Sequence, residues 1–125
     1  MKFKVKITKG LIDESVCGLA TGCVLARAMR PMFAMPVLVQ RQVGVKEVYV
    51  KKFVDFFTND LNAAPVFVKL GKDAYHFTED FDRDRSSVSP CELEFELTED
   101  GLKNLAFDVQ DLLDAVSVME YIEVF

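Results

Sequence analysis

The sequence predicts an α+β domain: a mainly antiparallel sheet of four to five strands with helices packed on one face. Three observations carry this. Lys2–Ile7 and Cys91–Leu97 alternate charged and apolar residues with period two, as half-buried strands do. The stretch after Thr98 instead repeats apolar residues at helical spacing, the mark of an amphipathic helix. The elements run β-α-α-β-β-(α)-β-α-β-α, an order that fits a layered α+β architecture. The 125 residues, half of them apolar and eleven of them Phe, suffice for one core and not two, so a single domain spans 1–125.

Each element has its own local cause. In the first strand Phe3, Val5 and Ile7 point one way and Lys2, Lys4 and Lys6 the other. Thr8 can cap a short helix through about Val16, because its hydroxyl satisfies a first-turn N–H. Gly18 ends that helix. Thr21 can cap a second from Gly22 to Arg30, with Val24, Leu25, Ala28 and Met29 as its buried stripe and Pro31 as its stop. Pro36–Val43 reads as a strand, Gly44 as a turn, and Val45–Lys51 as the returning strand of a hairpin. Phe53–Ala64 is ambiguous, with Phe53, Phe56, Phe57 and Leu61 fitting a short helix. Val66–Leu70 is a further strand, and Asp73–Asp82 a helix with Ala74, Phe77 and Phe81 on one face. Asp82–Ser87 is purely polar and reads as a solvated loop.

Cys91–Leu97 sends Cys91, Leu93, Phe95 and Leu97 inward and Glu92, Glu94 and Glu96 outward. Its three glutamates match the three lysines of the first strand in spacing. Opposite charges on neighbouring strands contribute about 0.2–1 kcal/mol per pair, which predicts that these two strands are neighbours. Thr98 then caps what reads as the longest helix, with Glu99 and Asp100 in its first turn, where the helix dipole favours anions. Its buried stripe is Leu102, Leu105, Ala106, Val109, Leu112, Leu113 and Val116; Asp108, Asp111 and Asp114 lie opposite. Met119–Phe125 either ends this helix or forms a last strand.

Charge is divided along the chain. Residues 1–52 carry +7 and residues 53–125 carry −12. Either the two segments lie side by side in the fold, as the strand pairing implies, or the molecule offers an acidic face to a basic partner. A pI near 4.9 and the absence of a basic run interleaved with aromatics argue against nucleic-acid binding. No stretch approaches the roughly 20 apolar residues of a membrane helix. The start alternates charge without an apolar core, so no signal peptide is expected, and three cysteines fit a reduced, cytoplasmic protein.

The six glycines have neither dinucleotide nor phosphate-loop spacing. Cys17, Cys23, Cys91 and the one histidine, His76, make four possible zinc ligands. Five residues separate Cys17 from Cys23, however, where closed sites use about two to four, so no metal and no cofactor is expected. A Cys23/His76 pair would be the route to nucleophilic catalysis, which needs a thiol beside a base. Met32, Phe33 and Met35, with Met29, gather around Pro31 and Pro36. That knot is either core or an adaptable contact surface.

The segments Ile7-Thr8…Ile12-Asp13…Cys23-Val24-Leu25-Ala26-Arg27-Ala28-Met29, Phe77-Thr78-Glu79-Asp80-Phe81-Asp82 and Val88-Ser89-Pro90-Cys91-Glu92-Leu93-Glu94-Phe95-Glu96-Leu97 together resemble a type of small accessory protein encoded by tailed bacteriophages. The resemblance covers roughly residues 5–97, with insertions around 53–64. Val24 stands where that type has Pro, and Cys91 where it has Phe. No catalytic residue attaches to the type, so none is carried over. The resemblance implies a phage origin and a cytoplasmic place in the bacterial host. It also implies action by binding a host or phage protein, a defence protein among the candidates. The expected function is therefore non-catalytic protein binding, through Asp108, Asp111 and Asp114 or through Met32, Phe33 and Met35. A small ligand-binding or thiol-dependent catalytic domain is the alternative, and a structural homodimer through Phe125 and the last helix the second alternative.

Overall fold

The structure is a computed structural model, and it describes residues 3–16, 18, 22–33, 35–53, 64–106 and 121–124. Six strands form one antiparallel sheet: β1 (Phe3–Ile7), β2 (Val37–Gln42), β3 (Glu47–Lys52), β4 (Val66–Leu70), β5 (Cys91–Leu97) and β6 (Ile122–Val124). Their order across the sheet is β2-β3-β4-β5-β1-β6. The helices are α1 (Lys9–Glu14), α2 (Val24–Met29), α3 (Lys72–Arg83) and α4 (Glu99–Lys103), with 3₁₀ turns at Arg30–Met32 and Arg85–Ser87. The fold class is the expected one, with a sixth strand supplied by the C-terminal segment.

The lysine and glutamate strands are neighbours. β1 pairs with β5 so that Phe3 faces Phe95, Lys4 faces Glu94, Val5 faces Leu93 and Lys6 faces Glu92. A one-residue slip would move every apolar side chain to the solvent face, so the core fixes this register. Phe3, Val5, Ile7, Leu93 and Phe95 join α1, α2 and α3 in one buried cluster, through Leu11, Leu25, Met29, Ala74 and Phe81. The Phe3 and Phe95 rings stack at 5.2 Å.

Local chemistry sets the helix ends. Thr8 Oγ1 accepts from the Leu11 N–H at 3.1 Å and opens α1. Ser15 Oγ donates to the Leu11 carbonyl and closes it, one residue short of Val16. Arg85 crosses from the far end of α3 to donate to the carbonyls of Asp13 and Ser15. Its guanidinium lies over the Phe81 ring. Asp82 accepts from Arg41 at 2.5 Å and from the Gly18 N–H at 2.9 Å. Asp82–Ser87 is therefore not the free solvated loop its composition suggests: α3 runs on to Arg83, and two of these residues tie α3 to α1 and β2. The second helix also starts later than expected. Cys23, not Thr21, is the residue before its first turn, and it makes no side-chain capping bond.

The β2–β3 connection is a four-residue turn, Val43–Lys46. Lys46 takes its left-handed position (φ 52°) rather than Gly44. Between β3 and β4 the register shifts at Val50/Lys51, so that Val66 and Phe67 together oppose Lys51. A bulge breaks strict alternation, and here the consecutive Phe67 and Val68 are both fully buried.

The helix after Thr98 is the largest departure. Thr98 caps it, accepting from the Gly101 N–H at 3.0 Å, but α4 ends at Lys103. Leu102 is exposed, Leu105 forms a bridge with Phe33, and the Ala106 N–H donates to the Met32 carbonyl at 2.8 Å. These tertiary bonds replace the next helical turn, so Leu102, Leu105 and Ala106 are not the start of a buried helical stripe. The predicted continuation through Val116 lies outside the described residues.

Candidate functional site

Side chains on a strand alternate between faces, so each inward residue of β1 and β5 leaves a charged neighbour pointing out. Lys4, Lys6, Glu92, Glu94, Glu96 on these strands, Lys69 on β4 and Glu123 on β6 share the face away from the core cluster. They form columns that alternate in sign from strand to strand. Lys4 Nζ lies 3.6 Å from Glu92, and Lys6 Nζ 3.5 Å from Glu123. Both pairs are near half-exposed, and exposed pairs are worth at most about 1 kcal/mol. Lys69 faces Glu96 across the β4–β5 ladder, while its Nζ sits 5.9 Å from the centre of the Tyr49 ring. Tyr49 donates its hydroxyl to Glu47 at 3.1 Å; partial desolvation and that carboxylate push the hydroxyl's pKa up.

Beside this face is a hollow of about 640 Å³ where β4 ends and α3 begins, bordered by Gly71, Lys72, Asp73, Glu92 and Glu94. It exists because β4 ends at Leu70, opposite Phe95, while β5 extends back to Cys91. After Leu70 the chain leaves the sheet for α3 and no longer accompanies β5.

The residues singled out from the sequence are distributed differently. Met32 and Phe33 are not a contact surface. The 3₁₀ turn Arg30–Met32 folds Met32 into the core, where it has no exposure, and Phe33 packs on Phe67 at 4.9 Å. Met35 is half-buried against the same cluster. Asp108, Asp111 and Asp114, like Cys17 and Phe125, lie outside the described residues.

Cys23 is buried in the core, beside a cleft of about 330 Å³ whose walls include Arg41, Phe77, Phe81 and Asp82. Burial pushes its thiol up, and the Asp82 carboxylate adds to the effect, against weaker opposing contributions from backbone N–H groups and Arg41. A thiol held protonated is a poor nucleophile. His76 is exposed on α3, edge-on to the Tyr75 ring, and does not line the cleft beside Cys23. Cys91 lies on β5 opposite Ile7; burial first, and Asp73 second, raise its thiol. Among the described residues no three His, Cys, Asp or Glu side chains are grouped to hold a metal ion, and no helix is long and apolar enough to cross a membrane.

The outward lysines and glutamates of β1 and β5 were legible as a ladder, but Lys69, Tyr49, Glu47 and the hollow beside Gly71 were not. The one available signal was the unequal length of two strands, Val66–Leu70 and Cys91–Leu97, which matters only once they are known to pair. Compared with known proteins, the chain matches no family model, no curated protein and no solved structure.

Proposed function

We propose that this is a non-catalytic accessory protein, of the kind tailed bacteriophages encode, that acts inside the bacterial host by binding another protein through the charged face of its sheet. The observation that carries the reading is that face: seven exposed or half-exposed charged side chains in alternating columns, set on the most regular strands of the chain. Rigid strands hold charges in fixed register, which suits selective recognition, since charge patterns set on-rate and partner choice more than raw affinity. That His76 does not line the cleft beside Cys23, and that burial favours the protonated Cys23 thiol, speak for binding rather than thiol chemistry. The phage-type resemblance of residues 5–97 points to a host protein, a component of defence included, as the class of target.

The test is affinity capture from bacterial lysate with four proteins: the unmodified chain, Glu94→Lys/Glu96→Lys, Cys23→Ala and His76→Ala. A partner retained by the unmodified chain, Cys23→Ala and His76→Ala, but lost with the double reversal and at raised salt, is expected. Activity or capture that depends on His76 and not on the glutamates would overturn the proposal and favour the catalytic alternative.

A further inference from the structure

We propose that the notch between the end of β4 and the neighbouring flank of β5 receives an extended segment of the partner protein, and that this segment alternates lysine or arginine with apolar residues. The inference rests on the protein-binding role proposed above and names the chemistry of what is bound.

The notch is an interrupted ladder. β5 pairs with β1 from Phe95 to Cys91, but its pairing with β4 stops at Leu70↔Phe95. Among the described residues, Cys91–Glu94 therefore has a strand on one side only. The direction of its peptide groups follows from the bonds on either side. The Thr98 N–H donates to the Phe67 carbonyl on β4 at 3.0 Å. In an antiparallel ladder alternate residues turn their N–H and C=O to alternate sides, so Glu96, Glu94 and Glu92 turn theirs toward β4. At Glu92 β4 has already left, and the peptide faces the hollow. The same alternation across β1 agrees, because the Lys6 N–H donates to Tyr121 on the β6 side, which turns Val5 and Ile7 toward β5. Exposed strand edges are templates for a further strand, and β-strand addition is a recurrent mode of peptide recognition. The stretch Cys91–Glu94 has room to pair with about four residues at a rise of about 3.3 Å each.

Charge selects the occupant. Glu92, Glu94, Glu96, Asp73 and Glu47 outnumber Lys69 and Lys72 around the hollow. Glu94 and Glu96 take part in none of the ion pairs among the described residues. β1 already shows what β5 accepts on its other flank: lysines opposite glutamates, alternating with Phe3, Val5 and Ile7 opposite apolar residues. A docked segment with the same alternation meets the same glutamates from the opposite side. Natural edges are commonly blocked by Pro, by an inward charge or by a covering loop. Among the described residues Cys91–Glu94 holds no Pro, and Gly71, the residue nearest the break, has no side chain.

The experiment is an amide-resolved NMR titration of the full chain with the blocked peptide Lys-Val-Lys-Val-Lys, and with Glu-Val-Glu-Val-Glu for comparison. Expected are saturable shifts confined to residues 69–73 and 91–95 with the basic peptide, at least tenfold weaker binding in 0.5 M salt, and no saturation with the acidic one. Two variants block the notch in different ways. Gly71→Trp fills it: a Cβ at Gly71 meets nothing within 4 Å, and its φ of −88° suits any residue. Glu92→Pro removes the N–H that faces the notch and spares the bonds to β1. Each is expected to weaken the peptide at least tenfold while the remaining amide spectrum stays native. Shifts centred on β2 or β6, equal binding of the acidic peptide, or unchanged affinity in both variants would overturn the proposal. Partner capture lost in Glu94→Lys/Glu96→Lys, together with no peptide binding at the notch, would overturn this inference alone and leave the protein-binding role standing.

Discussion

Replacing Gly101 by alanine should unfold this protein more readily, although alanine is the better helix former. A Cβ built at Gly101 would lie 2.1 Å from the Phe67 carbonyl oxygen and 2.9 Å from its carbon. Those atoms are backbone of β4, so no side-chain rotation relieves the overlap. The same carbonyl accepts from the Thr98 N–H at 3.0 Å and from the Thr98 hydroxyl at 3.2 Å. Moving α4 away by the ångström or so required would stretch both bonds. Overpacking of this kind costs about 1–3 kcal/mol, and each weakened hydrogen bond about 0.5–1.5 kcal/mol. Against this, alanine gains up to about 1 kcal/mol in helix propensity. The net expectation is a loss of about 2–3 kcal/mol. Urea denaturation followed by circular dichroism would measure it. Gly10→Ala supplies the control, because it adds the same methyl in α1, where only the Thr8 hydroxyl oxygen comes within 4.0 Å. That variant should gain about 0.5–1 kcal/mol. Equal or favourable effects at both positions would show that α4 does not rest on the Phe67 backbone.

Three further outcomes are expected. Lys6→Glu places a third carboxylate between Glu92 and Glu123 and should cost about 1 kcal/mol, since these positions are solvated; the loss should shrink in 1 M salt, where screening acts within about 3 Å. Cys23, with its thiol pushed up by burial, should alkylate with iodoacetamide far more slowly at pH 8 than a cysteine in the urea-unfolded chain. The same shift makes stability fall as pH rises above 9, where the unfolded thiol ionises first; mass spectrometry of the labelled peptide and urea midpoints against pH check both. On the acid side, the Ser86 hydroxyl and N–H hold the Asp84 carboxyl below its usual range. Its contribution is therefore present above about pH 4 and fades as pH falls through the lowered value. The stability difference between the native chain and Asp84→Ala should fade with it.

What could be read in advance follows a physical divide. β1 and β5 were legible down to their pairing because two constraints coincide there: the period of the apolar residues fixes the face, and the sign of the charges fixes the neighbour. Thr8 and Thr98 were legible as caps because capping is decided within four residues. The continuation of α4 was not, because Leu105 and Ala106 carry a helical pattern but are claimed by Phe33 and Met32 from a distant part of the chain. Pro31 and Pro36 placed Met32 and Phe33 in a loop and left core and contact surface both open. In the fold Pro31 is the middle residue of a 3₁₀ turn, Arg30–Met32, and both side chains are buried. The ladder half of the candidate site was thus visible in composition. The notch was not, because it depends on which strands pair and where one of them departs.

The position of β1 has a consequence for how the molecule is made. Its two partners are β5 and β6, so β1 stays unpaired until residues 91–97 and 122–124, made after it, have emerged. During that interval Phe3, Val5 and Ile7 have no sheet to join, and pairings of such sequence separation are slow to form. Waiting apolar strands are where nascent chains stick to one another, and interspersed charges are the usual guard against it. Lys4 and Lys6, ladder residues in the finished sheet, therefore serve an earlier purpose. Their charges disfavour self-association of β1 until β5 and β6, which follow it in the chain, arrive to pair with it.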